Sequence, residues 1–364
     1  MHSTIGRDGG RRHQFVALDG LRGIAALAVA IYHVPAFVGG TVMSSAYLAV
    51  DLFFCISGFV LFHAYADRLR KGMGIGAFLL RRTVRLYPLY LVSGLSALAY
   101  VLLLGEESNL QGHGLVSFVA NLLLFPLPLE WSLSDDLFPL NFVAWSILLE
   151  IGASLGFAAF SAAFVDPRRT RWTMAAAAVP MLFAGLHYGQ LNLGVSAGQM
   201  PGGMARALFA FCAGIAIAHV GPVRWRPSFP LLCAFTLAVL AVDVSGGART
   251  VYDLTVAMLV CPLLVLLGAG CRTGIGESRI AILLGRSSYP VYIFQVPFAA
   301  FVAKALGAWD VHASPMLGLA FVGGLFLFAL AVERHVERPL RSWLSARVFG
   351  IARRAVPAMI APQS

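Results

Sequence analysis

Long apolar stretches recur along nearly the whole chain and are separated by short polar turns. Largely apolar runs of 17 or more residues lie between residues 23 and 332, and a helix of that length crosses about 30 Å of hydrocarbon. We therefore predict an all-α, polytopic membrane protein with about ten transmembrane helices. The predicted spans are 18–39, 48–65, 83–104, 141–164, 172–188, 203–220, 228–243, 251–270, 289–307 and 315–333.

The basic residues fall almost entirely on one side of these spans. With a cytoplasmic N-terminus, only Arg206, Arg249 and Lys304 of the 27 Lys and Arg residues lie near the opposite side. This follows the positive-inside rule, so we predict a multi-pass protein of the inner or plasma membrane with both termini cytoplasmic. The alternative is a signal peptide cleaved near residues 44–46, where small residues follow a basic and an apolar segment. Cleavage there would place the next basic loop outside the cell, against the charge rule.

The composition agrees with a membrane protein. Of the 364 residues, 59% are hydrophobic and 12% are charged, whereas a soluble domain carries about 25% charged residues. The net charge of +10 is spread over turns on one side of the spans, which argues against a nucleic-acid partner. The five cysteines form no CxxC motif and lie in or beside apolar runs, which indicates core packing and no metal site. They are Cys55, Cys212, Cys233, Cys261 and Cys271.

The organisation predicted from the sequence is one transmembrane domain at 18–343 between cytoplasmic tails at 1–17 and 344–364. An outer loop at about 105–140 is expected to cap the outer mouth. Residues 339–349 are expected to form an amphipathic helix at the membrane interface. No internal repeat is evident, which disfavours transporters built from inverted repeats.

Two polar side chains stand out in the first apolar run. Arg22 and His33 are eleven residues apart, a spacing that returns to within about 20° of the same helical face after a rise of roughly 16 Å. Ionisable residues inside spans usually face the protein interior or water and mark a functional path. The alternatives are an arginine that snorkels to the interface and a packed, hydrogen-bonded histidine. The shared face favours function, with His33 about halfway across the membrane.

Two carboxylates are predicted within reach of His33. Counting from the outer surface places Asp51 about 22 Å above the inner face, and Glu150 about 16 Å above it, which is the predicted level of His33. A carboxylate partner orients an imidazole and raises its basicity. For Asp51 an equally weighted alternative is a cap at the helix N-terminus. For Glu150 the alternative is a salt bridge to a cation on another helix.

The ninth span carries a polar stripe. Ser288, Tyr292 and Gln295 follow the i, i+4, i+7 pattern and share one helical face. Such a stripe is typical of a cavity filled by water or substrate. Hydrogen bonding between helices is the alternative for each residue taken singly.

An arginine cluster in the loop before the third span consists of Arg81, Arg82 and Arg85. Pairs three or four residues apart share a helical face, and clustered guanidinium groups bind phosphates through bidentate hydrogen bonds. The alternative is topological charge beside anionic lipid.

Six motifs occur in order along the chain. They are Arg-x10-His at Arg22 and His33, Val-Asp-x-Phe-Phe-x-Ile-Ser-Gly-Phe at 50–59, Arg-x-x-Arg at Arg82 and Arg85, Trp-Ser-x-x-x-Glu at 145–150, Ser-Tyr-Pro-x-Tyr at 288–292 and Val-Glu-Arg-Pro at 336–339. Together they resemble the acyltransferase-3 family, integral-membrane acyltransferases that O-acylate cell-surface polysaccharides and some secreted small molecules. The resemblance covers the chain from Leu18 to about Trp343.

The resemblance implies an acyl-coenzyme A donor, most often acetyl-CoA, supplied from the cytoplasm, and no permanently bound cofactor. The acceptor is expected to be a hydroxyl of an extracytoplasmic glycan, a lipid-linked sugar or a glycosylated metabolite. Candidate partners also include membrane lipid and proteins of cell-envelope assembly. The chain departs from the family in two ways. Many members have a histidine at the position of Gln295, and the larger members carry an esterase-like C-terminal domain.

The residue positions define a hypothesis for the mechanism. His33 is expected to act as the general base on the acceptor hydroxyl, assisted by Asp51 or Glu150. The residues expected to hold the phosphates of the coenzyme are Arg22, Arg81, Arg82 and Arg85. The residues expected to contact substrate are Trp145, Ser146, Tyr292 and Gln295.

A proton-coupled transporter or exporter is the main alternative, with His33, Asp51 and Glu150 as a proton relay. The arginine cluster and the missing repeat count against it. A scaffold subunit of a polysaccharide-assembly complex is a third interpretation, but it leaves the intramembrane charges unexplained.

Overall fold

The computed structural model describes residues 15–104, 114–126, 136–221, 223, 226–271, 273–307 and 312–354. Of the described residues, 82% are helical, and these ranges contain no β-strand. This confirms the all-α prediction. The helices are α1 (Val16–Tyr32), α2 (Pro35–Val38), α3 (Ala49–Arg70), α4 (Ile75–Leu104), α5 (Gly114–Leu122), α6 (Ala144–Ala159), α7 (Ser161–Phe164), α8 (Pro167–Tyr188), α9 (Met200–Ala218), α10 (Phe229–Ala241), α11 (Gly247–Thr255), α12 (Cys261–Gly270), α13 (Ile275–Gly307), α14 (Pro315–Val332) and α15 (Arg338–Arg354). A π-helical turn, Glu333–Glu337, joins the last two.

Within the described ranges, six helical segments are long and apolar enough to cross a membrane. They are Ala46–Arg70, Ile75–Leu104, Ala197–Ala218, Gly247–Gly270, Ile275–Gly307 and Pro315–Phe349. Each overlaps one predicted span. The other four predicted spans, 18–39, 141–164, 172–188 and 228–243, coincide with α1, α6, α8 and α10, which are shorter or less apolar. The count of ten spans and the cytoplasmic placement of both termini stay predictions.

Helices α1 and α13 pack side by side and run in the same direction. A Cβ atom added at Gly23 would overlap the backbone of Leu284, and one added at Gly20 would lie 2.8 Å from the Cβ atom of Ala281. Small residues at a helix crossing let the two backbones approach closely. The glycines of the Leu18–Gly23 segment therefore fix the distance between the two helices that carry Arg22, His33 and the polar stripe.

Helices α3 and α9 form a second close pair. A Cβ atom at Gly58 would overlap the carbonyl oxygen of Phe211, and one at Gly214 would overlap the carbonyl oxygen of Cys55. The two helices are therefore in backbone contact, and α3 is held at a defined position beside α1 and α6.

Helix α1 is shorter than the predicted first span. It ends at Tyr32 instead of residue 39, and His33 is its C-terminal cap. Residue Val34 precedes Pro35, and a residue before proline disfavours the α conformation, while proline has no N–H for the helical ladder. His33 thus lies at the end of α1. Its depth in the membrane stays a prediction.

Helix α4 begins at Ile75 and not at residue 83. The segment 77–87 contains no glycine or proline and is rich in leucine and arginine, which favour helix. The arginine cluster therefore lies on a helix and not in a loop, and Arg82 and Arg85 are close to one turn apart.

The C-terminal segment 339–349 is helical, as predicted, and Trp343 on it is 51% exposed. Its location at a membrane interface stays a prediction. Half of the outer loop predicted at 105–140, residues 105–113 and 127–135, lies outside the described residues.

The close approach of α3 and α9 makes Gly58 intolerant of any side chain. We expect Gly58→Ala to lower the stability of the protein by about 1–3 kcal/mol, because the new methyl group displaces the Phe211 backbone. Thermal unfolding of the purified protein in detergent measures the change. Gly152→Ala is the matched control, since no atom lies within 4 Å of a Cβ atom there, and it should leave the melting temperature equal or higher. Equal melting temperatures for Gly58→Ala and wild type would contradict the packing.

Candidate active site

A cavity of about 240 Å³ lies between α1, α3, α4, α6, α13 and the segment 333–341. Its wall combines apolar side chains with charged and hydroxyl groups. Five of the residues predicted for the site line it. They are Arg22, Arg85, Ser146, Glu150 and Tyr292.

One end of the cavity, here called the arginine end, carries Arg22, Arg85 and Arg286. The Nε and Nη2 atoms of Arg22 donate to Ser288 Oγ at 3.3 and 3.4 Å. Arg286 is bound to the carboxylate of Glu333 at 2.8 Å. Arg22 and Arg85 have no carboxylate within salt-bridge distance among the described residues. Two guanidinium groups thus face the cavity with their charges unpaired.

Glu150 lies in the cavity wall and is held by two neighbours. Arg82 Nη2 donates to its Oε1 atom, and Ser57 Oγ donates to the same atom at 2.7 Å. The side chain of Arg82 is only 4% exposed, so this ion pair occupies its charge. The sequence left open, as an alternative for Glu150, a salt bridge to a cation on another helix. The structure has this salt bridge.

The predicted arginine cluster separates into three environments. Arg82 is buried against Glu150, and Arg85 faces the cavity. The guanidinium of Arg81 lies over the ring of Phe349, 4.2 Å from its centre, and does not line the cavity. Of the three, only Arg85 presents an unpaired charge to a ligand in the cavity.

Two hydroxyl groups lie together further along the cavity. Tyr292 Oη and Ser146 Oγ are 2.7 Å apart. Ser146 is one turn before Glu150 on α6, and Tyr292 is one turn after Ser288 on α13. The ring of Phe53 packs edge-on against Tyr292 at 5.6 Å. The pair is therefore fixed about 6 Å along the helices from the arginine end.

His33 lies beyond this hydroxyl pair, in a region here called the histidine end, and neither His33 nor Gln295 is among the residues that line the cavity. Its Nδ1 atom is 3.1 Å from Gln295 Oε1, and Gln295 is one turn past Tyr292 on α13. The ring of Phe142 meets the imidazole edge-on at 4.9 Å, and Tyr32 packs against it at 5.1 Å. The shared face predicted for Arg22 and His33 is confirmed, because both contact α13, at Ser288 and Gln295.

Asp51 is not a partner of His33. Its carboxylate is fully buried and forms an ion pair with Arg206, with Nη2 to Oδ2 at 2.6 Å and Nε to Oδ1 at 3.2 Å. Arg206 also donates to the backbone oxygens of Leu193 and Tyr47. Neither Asp51 nor Glu150 hydrogen-bonds to the imidazole of His33. Each carboxylate is instead bound by an arginine, which offsets the cost of burying its charge.

Trp145 also lies apart from the cavity. It is 5% exposed and packs against Gly194 and Gly203, with the guanidinium of Arg206 5.7 Å from its ring. The structure therefore gives Trp145 a packing environment and no access to a ligand in the cavity.

The sequence interpretation missed three groups that shape the site. Arg286 and Glu333 line the cavity, and Arg206 binds Asp51. A signal for Arg206 was present, since an arginine inside an apolar span needs a partner or a function. Glu333 at the end of the last predicted span carried the same signal.

The sequence matches the acyltransferase-domain family over residues 15–334. The chain belongs to the acyltransferase-3 family. It is 36% identical over 187 residues to "Protein 2 in picA locus" of Rhizobium radiobacter, which covers 48% of this chain and 96% of that protein. It is 25% identical over an alignment of 372 positions to acyltransferase MdmB of Streptomyces mycarofaciens, with 91% of this chain and 92% of that one covered. No solved structure matches the chain.

The protein is thus a membrane acyltransferase, and the resemblance seen in its motifs is confirmed. The geometry gives no support to the alternative of a proton relay through this acyltransferase. His33, Asp51 and Glu150 are bound separately by Gln295, Arg206 and Arg82, and none of them hydrogen-bonds to another.

The buried pair of Asp51 and Arg206 gives a test of a structural against a catalytic role. We expect Asp51→Asn to destabilise the acyltransferase by about 3–5 kcal/mol, because it leaves the Arg206 charge buried without its partner. The double variant Asp51→Leu with Arg206→Met should recover much of that loss, since apolar groups replace both ions. Melting temperature in detergent measures both effects. A catalytic role for Asp51 would instead appear as normal stability with lost activity in Asp51→Asn.

Proposed function

We propose that this acyltransferase moves an acyl group, in the simplest case acetyl, from acyl-CoA to a hydroxyl of an extracytoplasmic glycan or glycosylated metabolite. One observation carries the proposal. A single cavity joins two unpaired guanidinium groups, Arg22 and Arg85, to the hydroxyl pair of Ser146 and Tyr292, and His33 lies outside its lining, bound to Gln295 one turn past Tyr292.

The arginine end supports a donor that carries phosphates. Guanidinium groups without a carboxylate partner bind phosphate oxygens through charge-assisted, bidentate hydrogen bonds. Arg22 is pre-oriented by Ser288, and Arg85 projects from the adjacent helix α4. A coenzyme A bound there enters the cavity with its pantetheine arm, and the thioester then lies towards Ser146 and Tyr292. The rise of roughly 16 Å between Arg22 and His33 is comparable with the extended arm.

The histidine end supports the chemistry of the acceptor. A sugar hydroxyl is a weak nucleophile at neutral pH, so a positioned base is needed. His33 takes the proton as the hydroxyl oxygen bonds to the acyl carbon. The carbon–sulfur bond then breaks, the imidazolium of His33 gives that proton to the thiolate of coenzyme A, and coenzyme A leaves towards the arginine end. Ser146 donates its hydroxyl proton to the backbone oxygen of Val143, so the hydroxyl of Tyr292 is the proposed hydrogen-bond donor to the developing oxyanion.

The proposed base predicts the behaviour of His33→Ala. We expect about 10²–10⁴-fold slower acyl transfer, because a general base contributes that factor, with folding and membrane insertion unchanged. Release of free thiol from acetyl-CoA by the protein in native membranes measures turnover, and mass spectrometry of the surface glycans measures product. Wild-type turnover in the folded variant would exclude His33 as the base.

The proposed donor site predicts that substitution of some arginines weakens coenzyme A binding and substitution of others does not. We expect Arg85→Gln and Arg22→Gln each to weaken binding of coenzyme A by about tenfold or more, the value of a lost charged hydrogen bond. Isothermal titration of the detergent-purified protein with coenzyme A measures the affinity. Arg70→Gln is the matched control, because Arg70 is an exposed arginine paired with Asp67 and lies outside the cavity. Equal loss in all three variants would indicate nonspecific attraction of a polyanion.

A further inference from the structure

The amide of Gln295 has only one possible orientation. Its Nε2 atom lies 2.9 Å from the backbone oxygen of Tyr292, and a carbonyl oxygen can only accept a hydrogen bond. The atom that meets that carbonyl must therefore be the NH₂ group. The other end of the amide, Oε1, then faces Nδ1 of His33 at 3.1 Å. Gln295 is 1% exposed, so neither contact is exchanged for water.

This orientation decides which nitrogen of His33 carries the proton. An amide oxygen accepts and does not donate, so Nδ1 must be the N–H of the neutral imidazole. The lone pair then resides on Nε2. The rings of Phe142 and Tyr32 pack on the imidazole from two directions and limit its rotation.

The charged groups around the imidazole leave this assignment to Gln295 alone. The carboxylates of Asp51, Glu150 and Asp253 are bound by Arg206, Arg82 and Arg249. The remaining titratable groups on α1 and α13 near the ring are the phenols of Tyr32 and Tyr292. The Tyr32 hydroxyl accepts a hydrogen bond from Asn192, and that of Tyr292 is paired with Ser146.

We propose that Gln295 is a positioning residue that holds His33 in the tautomer with the proton on Nδ1, so that Nε2 is the atom that accepts the proton of the acceptor hydroxyl. The inference rests on the proposed function of His33 as the base. Gln295 occupies the position of the third residue in a nucleophile, base and orienter arrangement. It is neutral, so it orients the imidazole without adding a charge that stabilises the imidazolium.

Two substitutions separate orientation from packing. Gln295→Met keeps the length of the side chain and removes its hydrogen bonds. We expect kcat to fall about 10- to 100-fold, because a catalytic base that loses the residue orienting it becomes less effective. The KM for acetyl-CoA should stay unchanged, because the arginine end is untouched. Gln295→Glu keeps an acceptor for Nδ1–H and should retain most of kcat at neutral and alkaline pH. Ser287→Ala is the control, since Ser287 is buried on the same helix, bonds only to Leu284 and lies outside the cavity.

The pH–rate profile provides a readout that a packing role would not change. The base works only when it is unprotonated, and a carboxylate beside it stabilises the protonated imidazolium. In Gln295→Glu the acidic limb of the profile should therefore move to higher pH by about one unit. A Gln295→Met variant with wild-type kcat and an unchanged profile would overturn the inference. So would a Gln295→Glu variant as slow as Gln295→Met at every pH.

A measurement of the tautomer needs no turnover. In protein labelled with ¹⁵N-histidine, the His33 signals among the nine histidines are assigned by their loss in His33→Ala. We expect a protonated Nδ1 and an unprotonated Nε2 in wild type, and a mixture in Gln295→Met. A proton on Nε2 in wild type would overturn the inference even where His33→Ala is inactive. Full activity of His33→Ala would instead reject the proposed function, while the tautomer signals would still report the orientation.

Discussion

The backbone contact between α1 and α13 is the constraint on which the site depends. Gly20 and Gly23 let the two helices lie so close that no Cβ atom fits between them, and the helices run in the same direction. Arg22 of α1 therefore meets Ser288 of α13, and His33 at the end of α1 meets Gln295. In a membrane, where apolar burial gives little preference for one helix over another, such close packing and hydrogen bonding hold helices together. The same contact thus holds the bundle and sets the spacing of the site.

Charge pairing explains why the remaining polar groups lie where they do. A carboxylate inside an apolar bundle is costly unless a cation and hydrogen bonds accompany it, and Asp51, Glu150 and Glu333 each have arginine partners. Those pairs join α3 to α9, α6 to α4 and the π-turn to α13. The arginines that remain unpaired at the cavity, Arg22 and Arg85, are then available for a ligand. The partners of these arginines, and not their sequence context, therefore show which of them are bound to a carboxylate.

The sequence predicted correctly the features that depend on helical periodicity and on residues close together in the chain. Eleven-residue spacing was enough to place Arg22 and His33 on one face, and the i, i+4 pattern placed Ser288 and Tyr292 together in the cavity. The predicted first span was too long, because Pro35 ends the helix early, but the rise counted from Arg22 to His33 follows the continuous helix α1. Depth counting failed to pair Asp51 with Arg206, because a contact between residues 155 positions apart along the chain depends on which helices pack together. That neighbour relation is set by glycine contacts such as Gly58 with Phe211, which no periodicity reveals.

The wall of the cavity has a consequence for how a ligand approaches it. It carries four cationic residues and four acidic ones, which are Arg22, Arg85, Arg286, Arg341, Asp19, Glu150, Glu333 and Glu337. Two further arginines, Arg82 and Arg338, bind Glu150 and Glu333 without lining the cavity themselves. With all of these groups ionised, six arginines stand against four carboxylates, which leaves a formal charge of +2. Because the Debye length is about 8 Å in physiological salt, the field of this excess charge acts near the mouth of the cavity and is screened further out.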